Sequence, residues 1–148
     1  MSASNELVVK VKLLNNLAKA PDFKSDKAAG SDVQSMIDVT IMSGSSALIP
    51  IGIAVEPPEG YMLEAVGRSG LGCKNGLRLA NCVGIIDNDY RGEIMFKLHN
   101  DSDLNYTIRA GDSIGQLLLR RYNQFKTVVV EELSETVRGT GGFGSTGR

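Results

Sequence analysis

Three short stretches hold residue types that can do chemistry together. The first is Gly139–Thr146, GTGGFGST. Its glycines let successive backbone N–H groups converge on one oxygen, and Arg138, Ser145 and Thr146 add charge and donors, so the physics points to an anion. The glycine spacing is that of a phosphate loop, but Ser145 stands where the lysine belongs. With no strand before it in a βαβ setting and no helix after it, a Walker-type nucleotide site is excluded. Phe143 stands alone among small residues, which suits a ring closing over a flat ligand such as a base. A plain glycine tail has the same composition, and composition does not separate the two.

The second stretch is Arg68–Ser69–Gly70 followed by Leu71. An arginine and a hydroxyl at a helix start, where free N–H groups point outward, make an anion site; the simpler reading is a surface arginine beside an N-cap serine. The third is Asn81–Tyr90, NCVGIIDNDY. Asp87 ends an apolar run, so it is expected at the mouth of a cavity, partly desolvated, where a carboxylate can take a proton from water. Against that stands an ordinary hairpin aspartate, with Asn88 and Asp89 as turn formers. Asp32 in AGSDVQS and Gln116 in AGDSIGQ are weaker anchors, each compatible with turn chemistry. His99 is expected to be a polar-face residue, since nothing in the sequence pairs it with a serine or cysteine nucleophile. Arg120 and Arg121 read as solvated, or as interface residues if the chain is oligomeric.

The elements that must position these groups are short and rich in turns. Leu7–Leu14 (LVVKVKLL) partly alternates and reads as an opening strand; Pro21–Gly30 reads as loop. Met36–Met42 alternates over a short span, and Ala47–Val55 (ALIPIGIAV) carries Pro50 and Gly52, which suit a bulged or edge strand. Pro57–Gly60 is a turn by its chemistry, and Tyr61–Val66 resumes a strand. Gly76–Ala80, Val83–Ile86, Glu93–Asn100, Tyr106–Arg109, Gly115–Leu119 and Thr127–Glu131 complete the set, with Asp87–Gly92 as a hairpin tip. That is roughly ten short strands between turns, the pattern of an all-β sandwich, jelly roll or barrel. One short helix is expected at Arg68–Gly70. The chain divides into a β domain, residues 1–137, and a mobile glycine-rich tail, residues 138–148.

Composition limits the function classes. The 148 residues fit one domain, and a formal charge of −1 argues against a protein held to nucleic acid by its net field. No apolar run is long enough to cross a bilayer, and Met1–Lys12 shows no signal-peptide pattern, so neither a membrane nor a nucleic acid is expected as partner. Cys73 and Cys82 form neither a disulfide scaffold nor a CxxC site. With His99 the single histidine, two reduced thiols in a cytoplasmic protein are expected and a protein-built zinc site is not.

Taken together the segments resemble the trimeric dUTPase family (deoxyuridine triphosphatase). AGSDVQS resembles its first motif, GRSGLG the second, VGIIDNDYRG the third, AGDSIGQ the fourth and RGTGGFGSTG the fifth, in family order across residues 29–147. The stretch IPIGIAV…PPEGYMLEAVGRSGLG is also similar to the family's between motifs one and two. The resemblance implies an all-β, jelly-roll-like dUTPase fold and a homotrimer whose three sites are shared: motifs one, two and four from one subunit, three from a second, the tail from a third. It implies hydrolysis of dUTP to dUMP and pyrophosphate with Mg²⁺, which limits uracil in DNA and supplies dUMP for thymidylate synthesis.

By the same resemblance Asp87 is the base that activates water, and it also meets the sugar 3′-hydroxyl. Tyr90 lies under the deoxyribose and excludes ribonucleotides. Asn81, the Ile85, Ile86 and Asp87 backbone and Met95 build the uracil pocket. Arg68, Ser69, Gly70 and Gln116 hold the phosphates, with Ser69 and Gln116 at the catalytic centre. Phe143 stacks on uracil while Arg138, Gly144, Ser145 and Thr146 clamp the outer phosphates. Mg²⁺ is held by triphosphate and water, with Asp32 reaching it through water.

Three departures stand out. Ser113 and Gly115 replace a commoner basic residue and alanine, Val66–Gly67 replace a frequent proline before motif two, and Ser31 and Val33 replace larger residues in motif one. A dCTP deaminase of the same fold is the nearest rival, and the Asn81–Tyr90 segment with the complete tail favours dUTPase. A nucleotide-dependent regulatory protein is the other; Pro21–Lys27 and Ser35–Ser46 lie outside the motifs and leave room for an added partner.

Overall fold

The structure, a computed structural model, describes residues 6–144. Eleven strands and one helix occur among them. The strands are β1 (Lys10–Leu13), β2 (Ser31–Gln34), β3 (Val39–Ile41), β4 (Ser46–Pro50), β5 (Ile53–Glu56), β6 (Tyr61–Gly67), β7 (Leu77–Leu79), β8 (Gly84–Ile86), β9 (Met95–Asn100), β10 (Tyr106–Ile108) and β11 (Ser113–Arg121); the helix α1 is Ser69–Asn75.

All pairings are antiparallel. One sheet has the order β2-β11-β6-β8 and a second β4-β9-β7, with the pairs β1-β5 and β3-β10 beside them. In β9 alternation decides the faces: Phe96, Leu98 and Asn100 are buried, while Met95 and Lys97 are exposed. Inward residues of both larger sheets join one core, including Ile49, Phe96, Leu98, Leu63, Ile86 and Leu117. Each such fully buried side chain stabilises by about 1.5–3 kcal/mol. The all-β, jelly-roll-like expectation holds, and so does the helix at Arg68–Gly70.

Several elements differ from the sequence reading. Ala47–Val55 is not one strand but parts of two. Gly52, at φ 73°, turns the chain between β4 and β5, a conformation open to a residue without Cβ. The apolar run persists because both strands bury side chains on the same core. Asp87–Gly92 is not a hairpin tip: β8 pairs with β6, whereas β9 pairs with β4 and β7, so the segment crosses between sheets. Thr127–Glu131, expected as a strand, forms none. Its valines have the propensity, but no neighbouring strand of the same chain offers a ladder.

Two local features shape the surroundings of the motif residues. The Pro58–Tyr61 turn closes with Tyr61 N–H donating to the Pro58 carbonyl at 3.1 Å, Gly60 adopting φ 79°. In β11 the pairing with β2 shifts register between Ser113 and Gly115, a bulge.

Candidate functional site

The bulge in β11 has a consequence for Gln116. Beyond it Gln116 lies opposite Asp32 of β2, and its Nε2 donates to Asp32 Oδ1 at 2.8 Å. On the other side of Asp32 the backbone of Asp22 pairs with it as an isolated bridge. Arg68, just past the end of β6, brings its Nε to 3.3 Å from Asp32 Oδ2 and donates from Nη1 to the Ser113 carbonyl at 3.3 Å. Asp32 is 4% exposed and its Oδ2 has no hydrogen-bond partner. The Arg68 guanidinium is thus the charge that balances this buried carboxylate, although the contact lacks hydrogen-bond geometry.

Lys24 adds positive charge beside this cluster. Its Nζ lies 2.6 Å from Asp22 Oδ2, and that hydrogen bond, more than the carboxylate's charge, raises the ammonium above its ordinary pKa. Arg68 and Gln116, tied by sequence to different motifs, are thus brought to one carboxylate. Ser69 and Gly70 open α1, both exposed. The N-cap is Arg68 rather than the expected Ser69, and no side chain caps the helix.

A second group gathers around Asp87. A hollow of about 360 Å³ is lined by Leu48, Asn81, Ile85, Asp87, Tyr90 and Met95, with Ile86 at its inner wall. Its volume falls in the range of small-ligand pockets. β8 is an edge strand, so one row of its backbone donors and acceptors faces away from β6. Tyr90 is fixed by its hydroxyl, which donates to the Glu93 carbonyl at 2.9 Å. Asp87 also borders a second hollow, of about 570 Å³, with Asn88, Asp89, Tyr122 and Gln124. It stands at a cavity mouth as expected but is exposed in the single chain, not partly desolvated. The reason is its place: it is the first residue beyond the β8–β6 ladder.

The structure does not bring the two groups into one hollow. Neither hollow bordered by Asp87 is lined by Asp32, Arg68, Ser69, Gly70 or Gln116. Arg138 and Phe143 line neither of them. The Arg138 Nε donates to the Gly141 carbonyl at 2.8 Å, and Phe143 is fully exposed with φ 51°. Gly144 is exposed at φ 88°; Ser145 and Thr146 lie outside the described residues.

His99 lies on the outward face of β9 with Met95 and Lys97, as expected, but it has partners there. Its Nδ1 lies 2.8 Å from Ser46 Oγ across the β4–β9 pair, and its Nε2 is 3.4 Å from Asp101 Oδ1. The serine is a cross-strand neighbour, which no local sequence signal reveals. Arg78 holds Asp101 in a two-point grip at 2.6 and 3.2 Å, so the carboxylate is committed to that ion pair. Arg120 is not simply solvated, since its Nε meets Glu64 Oε2 at 2.6 Å.

Gly115, a departure from the family pattern, has a packing reason. A Cβ there would come within 2.6 Å of Phe96 Cδ1 and 2.9 Å of the Val66 carbonyl. The ring from one sheet fills the space that alanine would need. Ser113 contributes its carbonyl, not its side chain, to Arg68.

The antiparallel β body, with Arg68 and Gln116 gathered on Asp32 and a separate hollow beside Asp87, defines an all-β protein with two groups of candidate site residues. The dUTPase family model matches residues 16–147. With that match over most of its length, the chain belongs to the dUTPase family. A deoxyuridine 5′-triphosphate nucleotidohydrolase of Finegoldia magna is 42% identical over 142 residues, covering 94% of this chain and 99% of the relative. One of Nautilia profundicola is 43% identical over 140 residues, with 95% and 99% covered. The fold is similar to a Staphylococcus bacteriophage 80alpha dUTPase solved with dUPNHPP, at TM-score 0.88 and 29% identity, covering 95% of this chain and 99% of that one. It is also similar to a mutant dUTPase from phage phi11 of S. aureus, described for its coordination of a structural Mg(II) ion, at TM-score 0.79 and 26% identity, with 86% and 99% covered.

No helix among the described residues is long and apolar enough to cross a membrane.

Proposed function

We propose that the chain hydrolyses dUTP to dUMP and pyrophosphate, using the hollow beside Asp87 for the base and the Arg68 cluster for the phosphates. The observation that carries the reading is the convergence of Asn81, Ile85, Asp87, Tyr90 and Met95 on one hollow. A flat pyrimidine enters there, the free edge of β8 meets its donor and acceptor edge, and Asn81 and the Ile85 and Ile86 backbone complete the match. Tyr90, held by its hydroxyl, supports the deoxyribose face and leaves no room for a 2′-hydroxyl.

Asp87 orients a water for in-line attack on the α-phosphorus and accepts its proton. The new bond is from water oxygen to phosphorus; the bond broken is from phosphorus to the bridging oxygen, whose electrons leave with pyrophosphate. Arg68, the Ser69 and Gly70 amides and Gln116 offset charge on the phosphate oxygens. Arg138, Gly144, Ser145 and Thr146 do so from the tail as Phe143 covers the base and excludes water.

Among the described residues no group of three or more His, Cys, Asp or Glu is placed to hold a metal. In this reading Mg²⁺ would be carried by the triphosphate and its waters, with the Asp32 carboxylate, which also faces Arg68, as the protein's contact through water. The ion when bound neutralises charge on the phosphate oxygens.

The separation of the two residue groups in one chain supports a homotrimer in which each site draws on different copies. The exposed apolar arm supports it too: Phe125, Val128, Val129 and Leu133 have no cover from their own chain. Free, exposed Cys73 and Cys82 are compatible with a reducing, cytoplasmic setting.

The test is pyrophosphate release from dUTP, dTTP, dCTP and UTP, with and without Mg²⁺. Metal-dependent release from dUTP alone is expected. Ammonia from dCTP, or equal turnover of UTP, defeats the reading.

A further inference from the structure

The segment that carries the base has no ladder to hold it. Asp87 follows the last paired residue of β8, and pairing resumes only in β9, which belongs to the other sheet. One backbone turn bond, from the Tyr90 N–H to the Asp87 carbonyl at 3.1 Å, and side-chain hydrogen bonds to backbone carbonyls fix the residues around Asp87 instead. Asn88 Nδ2 reaches the Tyr61 carbonyl at 2.8 Å, the Pro58 carbonyl at 2.9 Å and the Pro57 carbonyl at 3.3 Å. Arg91 Nη1 donates to the Asn88 carbonyl at 2.6 Å and the Tyr90 carbonyl at 3.1 Å, with the Val55 carbonyl at 3.4 Å. Asn88 is therefore gripped at both its side chain and its backbone.

We infer that Asn88 is a positioning residue for the hydrolytic step: it locks the Asp87 carboxylate by plugging its amide into the Pro57–Tyr61 turn. The inference rests on the reading of Asp87 as the base. The chemistry of the plug is specific. The turn presents carbonyls to the amide, and two of them belong to prolines, which have no N–H to offer in return. A short side chain with two N–H donors satisfies the two nearest carbonyls, and the third shares the bond. Aspartate, of the same shape, would set a carboxylate against three carbonyl oxygens. Alanine would leave those carbonyls without that donor and remove the side-chain half of the grip one residue from the base. Serine keeps one donor on a shorter stem.

Asn88 does not line the 360 Å³ hollow that takes the base. Its loss should therefore disturb the chemical step and spare ground-state binding. A misplacement of about 1 Å at a reacting group costs on the order of a hundredfold in rate.

The experiment compares Asn88→Ser, Asn88→Ala and Asn88→Asp with the parent and with Asp87→Asn. Affinity for the imido analogue dUpNHpp is measured by titration, which also counts folded sites, and kcat on dUTP is expressed per such site. Expected are kcat values in the order Asn, Ser, Ala, Asp. The Ala variant should fall about tenfold or more while analogue affinity holds within about threefold. A purely structural role would lower the melting temperature and the number of sites but leave kcat per site intact. A smaller fall for Ala, or a loss of analogue affinity matching the loss of kcat, overturns the inference. If Asp87→Asn is inactive while the Asn88 variants turn over normally, only the positioning role fails; near-normal turnover by Asp87→Asn removes the base and the positioning role with it. Should the Asp variant not fold, the Ser and Ala variants decide.

Discussion

In the proposed mechanism Asp87 takes its task from its surroundings. Six other aspartates and glutamates in the described chain are held in ion pairs (Asp22, Asp32, Asp38, Glu56, Glu64 and Asp101), but Asp87 is in none of those pairs and stands between two hollows. An exposed, uncommitted carboxylate beside a base-sized cavity is free to hold a water, which a salt-bridged one is not. Asp87→Asn keeps the size and loses the basicity. Its kcat on dUTP should fall by about 10²–10⁴, with analogue affinity retained, as steady-state kinetics and titration would show. The identity of Asp87, Asn81, Tyr90 and Gln116 as candidate site residues was legible through the motifs. The Ser46–His99 contact, the burial of Asp32 beside Arg68 and the plug at Asn88 were not, because each joins residues remote in sequence or depends on burial.

Elements convert these residues into a geometry. The bulge in β11 sets Gln116 opposite Asp32, and the end of β6 delivers Arg68 to the same carboxylate. Strand β8, at a sheet edge, leaves backbone groups free where a base could meet them. The pattern of alternation and turn residues made most strands legible, including the run through Phe96 and Leu98. It failed where pairing partners decide: at the Asp87–Gly92 crossing and at Thr127–Glu131. Packing between elements explains Gly115. Gly115→Ala should destabilise by about 1–3 kcal/mol, read by chemical denaturation. In a Phe96→Leu background, where the ring is gone, the same substitution should cost clearly less. Equal costs in the two backgrounds would mean that Phe96 is not the reason for the glycine.

At the scale of the molecule, two half-sites on one body explain why a single chain is insufficient in the proposed mechanism. In that proposal the Asp87 hollow takes the nucleobase and the attacking water, the Arg68 group meets the phosphate charge, and the tail brings Phe143 and Arg138. A native mass measurement is the check on assembly. Removing residues 138–148 should lower turnover by about a hundredfold, the scale of losing a positioning clamp, and leave the assembled mass unchanged apart from the missing residues. Dissociation into single chains on that truncation would make the tail a structural element instead of a cover.

The sequence by itself determined the β class, the one short helix, the Pro57–Gly60 turn and the family, because propensity, alternation and motifs are local properties of the chain. Tertiary structure alone decided which carboxylate is buried beside Arg68 and which is left open, why Gly115 lacks a side chain, and what grips the segment after Asp87. Those outcomes depend on which strands pair and in what register, and register is set by the sum of many distant contacts rather than by any neighbourhood of residues.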